Sequence, residues 1–122
     1  MRILRKRSYL KGSKKEYLEN KAKAKAFVLD RLEFFNSFYE FKFNRISIRN
    51  QSTRWGSCSR KGNLNFHYKI VLLPEKLADY IIVHELCHLK ELNHSKKFWL
   101  QVERIIPKYK ELRKKLKSPF GL

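Results

Sequence analysis

The sequence predicts a small α+β fold, because segments with helical periodicity lie on both sides of a region with strand-like alternation. The chain has 122 residues, 43% of them apolar, so it can bury one core, and one domain is the expected count. No apolar run approaches the length of about 20 residues that a membrane-spanning helix needs. Two cysteines and a basic N-terminus without an apolar stretch predict a cytoplasmic protein.

A long amphipathic helix is predicted over residues 14–40, after a basic tail over residues 1–13. Charged residues fill one side of this helix, and apolar residues recur at helical intervals on the other. The apolar set is Tyr17, Ala24, Phe27, Val28, Leu32, Phe35 and Phe38. A compact core is expected over residues 41–117, followed by a short tail over residues 118–122.

The segments after this helix predict a small sheet, either antiparallel or mixed. Residues 42–50 alternate, with the β-branched Ile46 and Ile48 on one face. A polar stretch follows, in which Gly56 and Gly62 are expected at turns. Residues 64–73 then predict a second strand or two short ones.

A second helix is predicted from Pro74 to about residue 92, since proline suits a first helical turn. It is apolar on nearly every side, which indicates a buried helix. Asn93 suits the left-handed conformation that often ends a helix, and Ser95 suits the N-cap of the next helix. That last helix is long, and Pro107 is expected to kink or interrupt it.

The buried helix contains a metal-binding pattern, His84-Glu85-Leu86-Cys87-His88. Residues four apart share one helix face, so both imidazoles can reach one ion. Glu85 projects about 100° away from His84 around the helix, where it can reach a metal-bound water. Two core histidines satisfied by hydrogen bonds are the alternative, but they would leave Glu85 buried at a substantial desolvation cost. The pattern therefore favours a zinc hydrolase site.

A catalytic zinc site usually has three protein ligands, so a third is needed here. His94 lies ten residues after His84, at the spacing of longer zinc-protease patterns. The turn that returns it to the metal is expected at residues 92–93, because asparagine tolerates the left-handed conformation. Glu91 and His67 are rival ligands, although His67 also suits a position that lines the cleft or packs in the core.

Several segments between residues 42 and 116 resemble the YgjP-like metal-dependent hydrolases, relatives of SprT-like and minigluzincin-type zincins. The matching segments are 54–58, 83–89, 93–95 with Phe98 and Trp99, and Pro107 with Tyr109. The resemblance implies a compact zincin-like core in which a strand borders the cleft above the active-site helix. It also implies one Zn²⁺ per chain on His84, His88 and His94, with Glu85 as general base.

The expected reaction is a hydrolysis, most simply that of a peptide bond. Glu85 takes the proton from a zinc-bound water and passes it to the leaving group. A further donor should stabilise the oxyanion, and the candidates are Tyr109, Arg54 and His67. Core packing is the alternative for Tyr109.

The rim of the cleft is expected to carry the residues that contact substrate: Trp55, Gly56, Asn63 and Asn65. Gly56 suits a close backbone approach, although a packing turn explains the same residues. An extended peptide is expected to pair with the edge of the strand near residues 63–67. Cys87 is expected to act as a small buried apolar residue, and no disulfide with Cys58 is expected in a reducing compartment.

The charge of the chain adds a second set of functional hypotheses. Lys and Arg number 29 against 11 Asp and Glu, a formal net charge of +18. Residues 1–25 carry a net +8 and residues 104–117 a net +6, so the excess lies in the flanks. Basic flanks predict non-specific contact with nucleic-acid backbones or acidic substrates, unless lysines merely solvate the helices. The alternatives to a peptidase are a nucleotide phosphohydrolase and a nucleic-acid-associated zinc protein without turnover.

Overall fold

A computed structural model describes residues 10–117. The predicted tail over residues 118–122 and most of the N-terminal tail, residues 1–9, lie outside these described residues. The elements in chain order are α1 (Lys14–Tyr39), β1 (Ile46–Arg49), β2 (Gly56–Cys58), β3 (Leu64–His67), a 3₁₀ helix (Tyr68–Leu72), α2 (Glu75–His88), α3 (Lys96–Ile105) and α4 (Tyr109–Lys117). The α+β prediction is confirmed.

The three strands form one mixed sheet in the order β1-β3-β2. The central strand β3 runs parallel to β1, with Ile46 opposite Leu64, and antiparallel to β2, with Ser57 opposite Asn65. Both edges of β3 are therefore occupied. The prediction that a peptide pairs with the strand near residues 63–67 is wrong, and the outer edge of β2 is free within residues 10–117.

The long helix α1 confirms the helical periodicity read from the sequence. Ser13 caps its first turn, since the Ser13 hydroxyl accepts a hydrogen bond from the Glu16 N–H at 3.0 Å. Its buried residues form one stripe: Ala24, Val28, Leu32, Phe35 and Tyr39. Phe38, expected on that stripe, is 48% exposed. Arg31 forms a salt bridge with Asp79 at 2.9 Å, which joins α1 to α2.

The strands are shorter than predicted, and residues 68–72 form a 3₁₀ helix instead of a strand. The His67 side chain accepts a hydrogen bond from the Lys69 N–H at 3.1 Å, which turns the chain at the end of β3. The Tyr68 hydroxyl then donates to the Glu16 carboxylate on α1. Short apolar runs do not distinguish a strand from a helix by periodicity, and here the side-chain cap decides.

The buried helix α2 begins after Pro74, as predicted, and ten of its 14 residues are buried. It ends at His88, earlier than expected, where the N–H groups of Leu89 and Lys90 bond to the Leu86 and Cys87 carbonyls three residues before them and tighten the last turn. The predicted left-handed Asn93 is wrong: within residues 10–117, Glu40 is the only non-glycine residue with a positive φ. The chain leaves α2 through tight right-handed turns.

The C-terminal part of the described chain follows the sequence prediction. The Ser95 hydroxyl accepts a hydrogen bond from the Phe98 N–H at 3.3 Å and caps α3. Pro107 lies between α3 and α4 and interrupts the helical stretch. None of the helices within residues 10–117 combines the length and the apolar character needed to cross a membrane.

Candidate metal centre

Three histidines meet at one point beside α2. His84 and His88 lie one turn apart on that helix, and His94 lies in the loop before α3. The distances between their Nε2 atoms are 3.2 Å for His84–His88, 3.0 Å for His88–His94 and 3.2 Å for His84–His94. The buried Phe98 supports the cluster, since its ring centroid lies 4.3–5.0 Å from those of all three imidazoles. Four aromatic rings thus pack together and fix the nearly equilateral triangle of nitrogens.

This triangle fits a metal ion. Tetrahedral Zn–N bonds of about 2.0–2.1 Å place two ligand nitrogens about 3.3 Å apart, close to the observed separations. The His88 Nδ1 lies 3.0 Å from the Glu91 carbonyl oxygen, which only accepts, so Nδ1 carries the proton. The neutral His88 ring therefore offers a lone pair at Nε2, towards the other two Nε2 atoms. The donor set suits a divalent cation of the kind that imidazoles bind.

The environment keeps the imidazoles neutral. Burial, with smaller contributions from the neighbouring His88 and His94, lowers the pKa of His84 to about 3. Burial also lowers the pKa of His88 and of His94. Neutral imidazole is the form that binds metals, so all three rings are in the ligating state.

Glu85 lies beside the cluster and is 6% exposed. Burial raises its pKa to about 8, against the influence of the positive Arg54. Its Oε1 atom is buried and has no hydrogen-bond partner within residues 10–117. A buried carboxyl oxygen without a partner is rare in a folded protein, which marks Glu85 as a candidate functional residue.

The backbone of β2 packs directly against Glu85 at Gly56. A Cβ atom on Gly56 would lie 3.0 Å from the Glu85 Cγ and Oε2 atoms and 3.0 Å from the Asn65 carbonyl oxygen. Any larger residue therefore requires the Glu85 side chain or the Asn65 backbone to yield by a few tenths of an ångström, and the side chain is the freer of the two. The close backbone approach expected of Gly56 is present, although Gly56 lies in a strand rather than in a turn.

A cavity of about 310 Å³ opens onto the cluster. Its wall includes His84, Glu85 and His94, together with Arg54, Trp55 and Gly56 from the segment before and within β2. Of the residues expected at the rim or the oxyanion, Arg54, Trp55 and Gly56 thus line the cavity.

Three further polar residues that the sequence did not predict at the site line the cavity: Tyr80, Arg113 and Lys117. The Tyr80 hydroxyl lies 3.2 Å from His84 Nδ1, one helical turn before it. That spacing of four residues places both on one helix face, a signal present in the sequence. Arg113 comes from α4, and its guanidinium lies 4.9 Å from the Trp99 ring centroid. No local pattern indicates this tertiary contact.

The remaining candidates lie outside this cavity. The His67 Nδ1 accepts from the Lys69 N–H, and its Nε2 lies 2.9 Å from the Gln51 carbonyl oxygen, so both ring nitrogens have protein partners. The Tyr109 ring stacks on Trp99 with centroids 4.9 Å apart. These two residues pack within the fold.

The two asparagines and Glu91 are also absent from the cluster. The Asn65 amide donates to the Ser57 hydroxyl at 3.2 Å, and the Asn63 N–H donates to the Ser59 hydroxyl, so both stabilise the β2–β3 hairpin. Glu91 contacts His88 through its backbone carbonyl rather than its carboxylate. Cys58 and Cys87 are both free thiols, as expected.

Comparison with known proteins points to the same chemistry. The sequence matches the family described as "YgjP-like, metallopeptidase domain" over residues 5–119. The metallopeptidase zymogen of Pyrococcus abyssi abylysin is 29% identical, with a TM-score of 0.67 over 73% of this chain and 90% of that chain. The zymogen of Methanocaldococcus jannaschii jannalysin is 24% identical, with a TM-score of 0.63 over 73% of this chain and 92% of that chain.

The second of these likenesses concerns the fold alone. Among curated proteins, none matches the chain. The family match covers nearly the whole sequence and includes the histidine cluster, Glu85 and the strand that packs on it. The chain is therefore a hydrolase that uses a metal ion, and it belongs to the YgjP-like metallopeptidase family.

Proposed function

We propose that His84, His88 and His94 hold one zinc ion and that Glu85 acts as the general base of this metallopeptidase. The observation that carries the proposal is the convergence of three Nε2 atoms within 3.2 Å of one another. Three ligands leave the open coordination position that distinguishes catalytic from structural zinc sites. The absence of cysteine from the ligand cluster favours the same reading.

When bound, zinc supplies a Lewis acid that polarises a carbonyl group and acidifies water. Glu85 takes a proton from water and delivers it to the leaving amine. Its buried position suits both steps, because a raised pKa near neutrality lets one carboxyl accept and then return a proton. Arg54 is the cavity cation that we assign to the developing oxyanion.

We propose that an extended peptide adds to the outer edge of β2. In the antiparallel ladder the Ser59 N–H bonds to the Asn63 carbonyl and the His67 N–H to the Trp55 carbonyl. The alternation of such pairs directs the N–H and C=O groups of Gly56 and Cys58 away from β3. These groups form the free edge, and Gly56 lies against the general base. A substrate strand there brings its carbonyl to the histidine cluster.

The first test is elemental analysis of protein purified without added metal. Wild type should contain about one zinc per chain, and His94→Ala should contain far less. Glu85→Gln should keep its zinc and lose peptidase activity by about 100-fold or more, since only catalysis needs the base. No zinc in wild type after zinc is supplied would contradict the proposal.

Two of the sequence hypotheses remain predictions. Nucleotide hydrolysis is one of them, and no observation favours it over peptide hydrolysis. It is tested by adding a nucleotide as a comparison substrate alongside the peptides in the activity assay. The two free thiols suit a reducing environment, and on that basis we keep the cytoplasm as the proposed location.

A further inference from the structure

A second cavity, of about 380 Å³, lies where α2 ends and the β2–β3 hairpin turns. Its wall carries four cationic side chains and one acidic side chain: Lys42, Arg60, Lys61, Lys90 and Glu91. We refer to it as the basic cavity. It is distinct from the cavity that contains the histidines.

None of the cations of the basic cavity forms a salt bridge with another side chain of residues 10–117. Within residues 10–117 the one salt bridge joins Arg31 to Asp79, on other elements. Like charges gathered around a concave surface raise the local positive potential and attract an anionic group. With four cations against the one acid Glu91, the basic cavity is thus suited to bind the acidic side chain of a ligand.

Two elements connect the basic cavity to the histidine cluster. On β2, Gly56 lines the cluster cavity and Ser59, just beyond the strand, lines the basic cavity. Three residues of strand span about 10 Å. On α2, Glu85 and Leu89 line the same two cavities, about 6 Å apart along the helix axis. A peptide along the free edge of β2 therefore passes from one cavity to the other.

We propose that this enzyme prefers acidic peptides, and that the basic cavity binds a glutamate or aspartate side chain two to four residues from the scissile bond. The proposal rests on the proposed function, because it takes the histidine cluster as the point of cleavage. The cluster cavity strengthens the preference, since Arg54, Arg113 and Lys117 line it as well. Cations therefore line the whole path of the peptide.

A nucleic acid is the other polyanion that such charges attract, but the lining favours a peptide. Single-stranded nucleic acids bind by stacking bases on aromatic rings, and no aromatic side chain lines the basic cavity. The nearby Trp99 is occupied, because it stacks on His94 and Tyr109 with centroid distances of 5.6 and 4.9 Å. The free strand edge suits a peptide backbone alone.

The experiment uses the zinc-loaded full chain and pairs of quenched fluorescent peptides. Each pair differs by Glu or Gln at one of the four positions on either side of the cleaved bond. We expect kcat/KM to favour Glu by about tenfold at one such position at low salt, and less at high salt. Arg60→Glu with Lys61→Glu should abolish or invert this preference. Both side chains are exposed, and unchanged zinc content verifies folding.

The matched control is Lys14→Glu with Lys15→Glu, which changes the net charge equally. These lysines begin α1, whose 26 residues extend about 39 Å towards Lys42. The control should keep the Glu preference.

Three results would overturn the inference. The first is cleavage of Glu and Gln peptides at equal rates, which leaves the proposed function intact. The second is a Glu preference that survives the Arg60 and Lys61 changes. The third is a DNA oligonucleotide that competes with the peptide at equal charge and binds more tightly.

If no peptide is cleaved, the proposed function is contradicted, and this result is distinct from a failure of the preference for acidic peptides. Calorimetric titration of the Glu and Gln peptides then still decides whether the basic cavity recognises acid. Binding of the Glu peptide that the Arg60 and Lys61 changes remove supports the inference. Equal binding of both peptides contradicts it.

Discussion

The protein contains two kinds of histidine environment, and the contrast between them separates a structural site from a functional one. His67 is 1% exposed, and its two ring nitrogens bond to the Gln51 carbonyl and the Lys69 N–H. In the cluster, the three Nε2 atoms face one another, and at His88 that atom carries no proton. Burial alone does not distinguish the two cases. The hydrogen-bond partners of the ring nitrogens distinguish the two cases, because lone pairs of imidazole nitrogens that converge on one point need a cation there.

Removal of one cluster histidine should have the largest effect on metal binding. His88→Ala deletes the most buried of the three proposed ligands, and we expect zinc affinity to fall by at least about 1,000-fold, with peptidase activity lost. His67→Ala should destabilise the fold but keep zinc. Competition with a chelator of known affinity measures both variants. Equal zinc loss in the two would erase the distinction between the environments.

The second largest effect that we expect is a pH dependence of the free energy of unfolding, to which His67 contributes. Burial lowers its pKa from 6.5 to about 4. Above pH 6.5 the ring is neutral in both states, whereas between pH 6.5 and 4 the unfolded chain binds the proton first. Stability should therefore fall as the pH falls through this range, by about 3 kcal/mol, and change no further from this residue below pH 4.

Urea unfolding of metal-free protein at pH 7 and pH 4 measures this dependence. The three cluster histidines also have lowered pKa values, so the difference between wild type and His67→Ala isolates the contribution of His67. The variant should lose less stability than wild type on acidification. Equal losses of stability on acidification in wild type and in the variant would show that the fold does not hold His67 in its neutral form.

The sequence predicted most of the helical fold, because the signals that define a helix lie within a few residues of one another. The periodic stripe of α1, the Ser95 cap and the break at Pro107 all depend on residues a few positions apart. The sheet did not follow in the same way. Strand β2 has only three residues, and its Gly56 suits a turn by local pattern, so only the pairing with the distant β3 defines the strand.

The candidate site divides along the same line. His84, Glu85 and His88 share one helix, so their spacing alone placed them together. The spacing of His94 predicts its place in the cluster, but the left-handed Asn93 expected at the turn before it is absent from the structure. Arg113 belongs to another helix, and no sequence pattern connects it with the cavity. Local periodicity therefore predicts the three residues on one helix, whereas tertiary packing determines the positions of the others.

The third prediction concerns the contact between β2 and Glu85, the proposed general base. Gly56→Ala places a methyl group 3.0 Å from the Glu85 Cγ and Oε2 atoms, so the carboxyl must move. We expect kcat to fall between about 10- and 100-fold, the cost of a misplaced catalytic group, while zinc content stays the same. Gly62→Ala is the control, since its φ of 83° strains the hairpin turn and lowers stability without touching Glu85. A Gly56→Ala enzyme with the kcat of wild type would show that the contact with β2 does not position Glu85 for catalysis.

The smallest effect should come from Tyr80, whose hydroxyl lies 3.2 Å from His84 Nδ1. If His84 binds zinc through Nε2, its proton resides on Nδ1 and is donated to the Tyr80 oxygen, which orients the ring. Tyr80→Phe removes that acceptor, and we expect zinc affinity to weaken by about tenfold. Tyr109→Phe should leave zinc affinity unchanged, because the Tyr109 ring stacks on Trp99 and its hydroxyl forms no hydrogen bond with the three histidines within residues 10–117. Equal affinity in Tyr80→Phe and wild type would mean that Phe98 and the helix alone orient His84. His84 would then differ from His67 and His88, whose rings have protein hydrogen-bond partners.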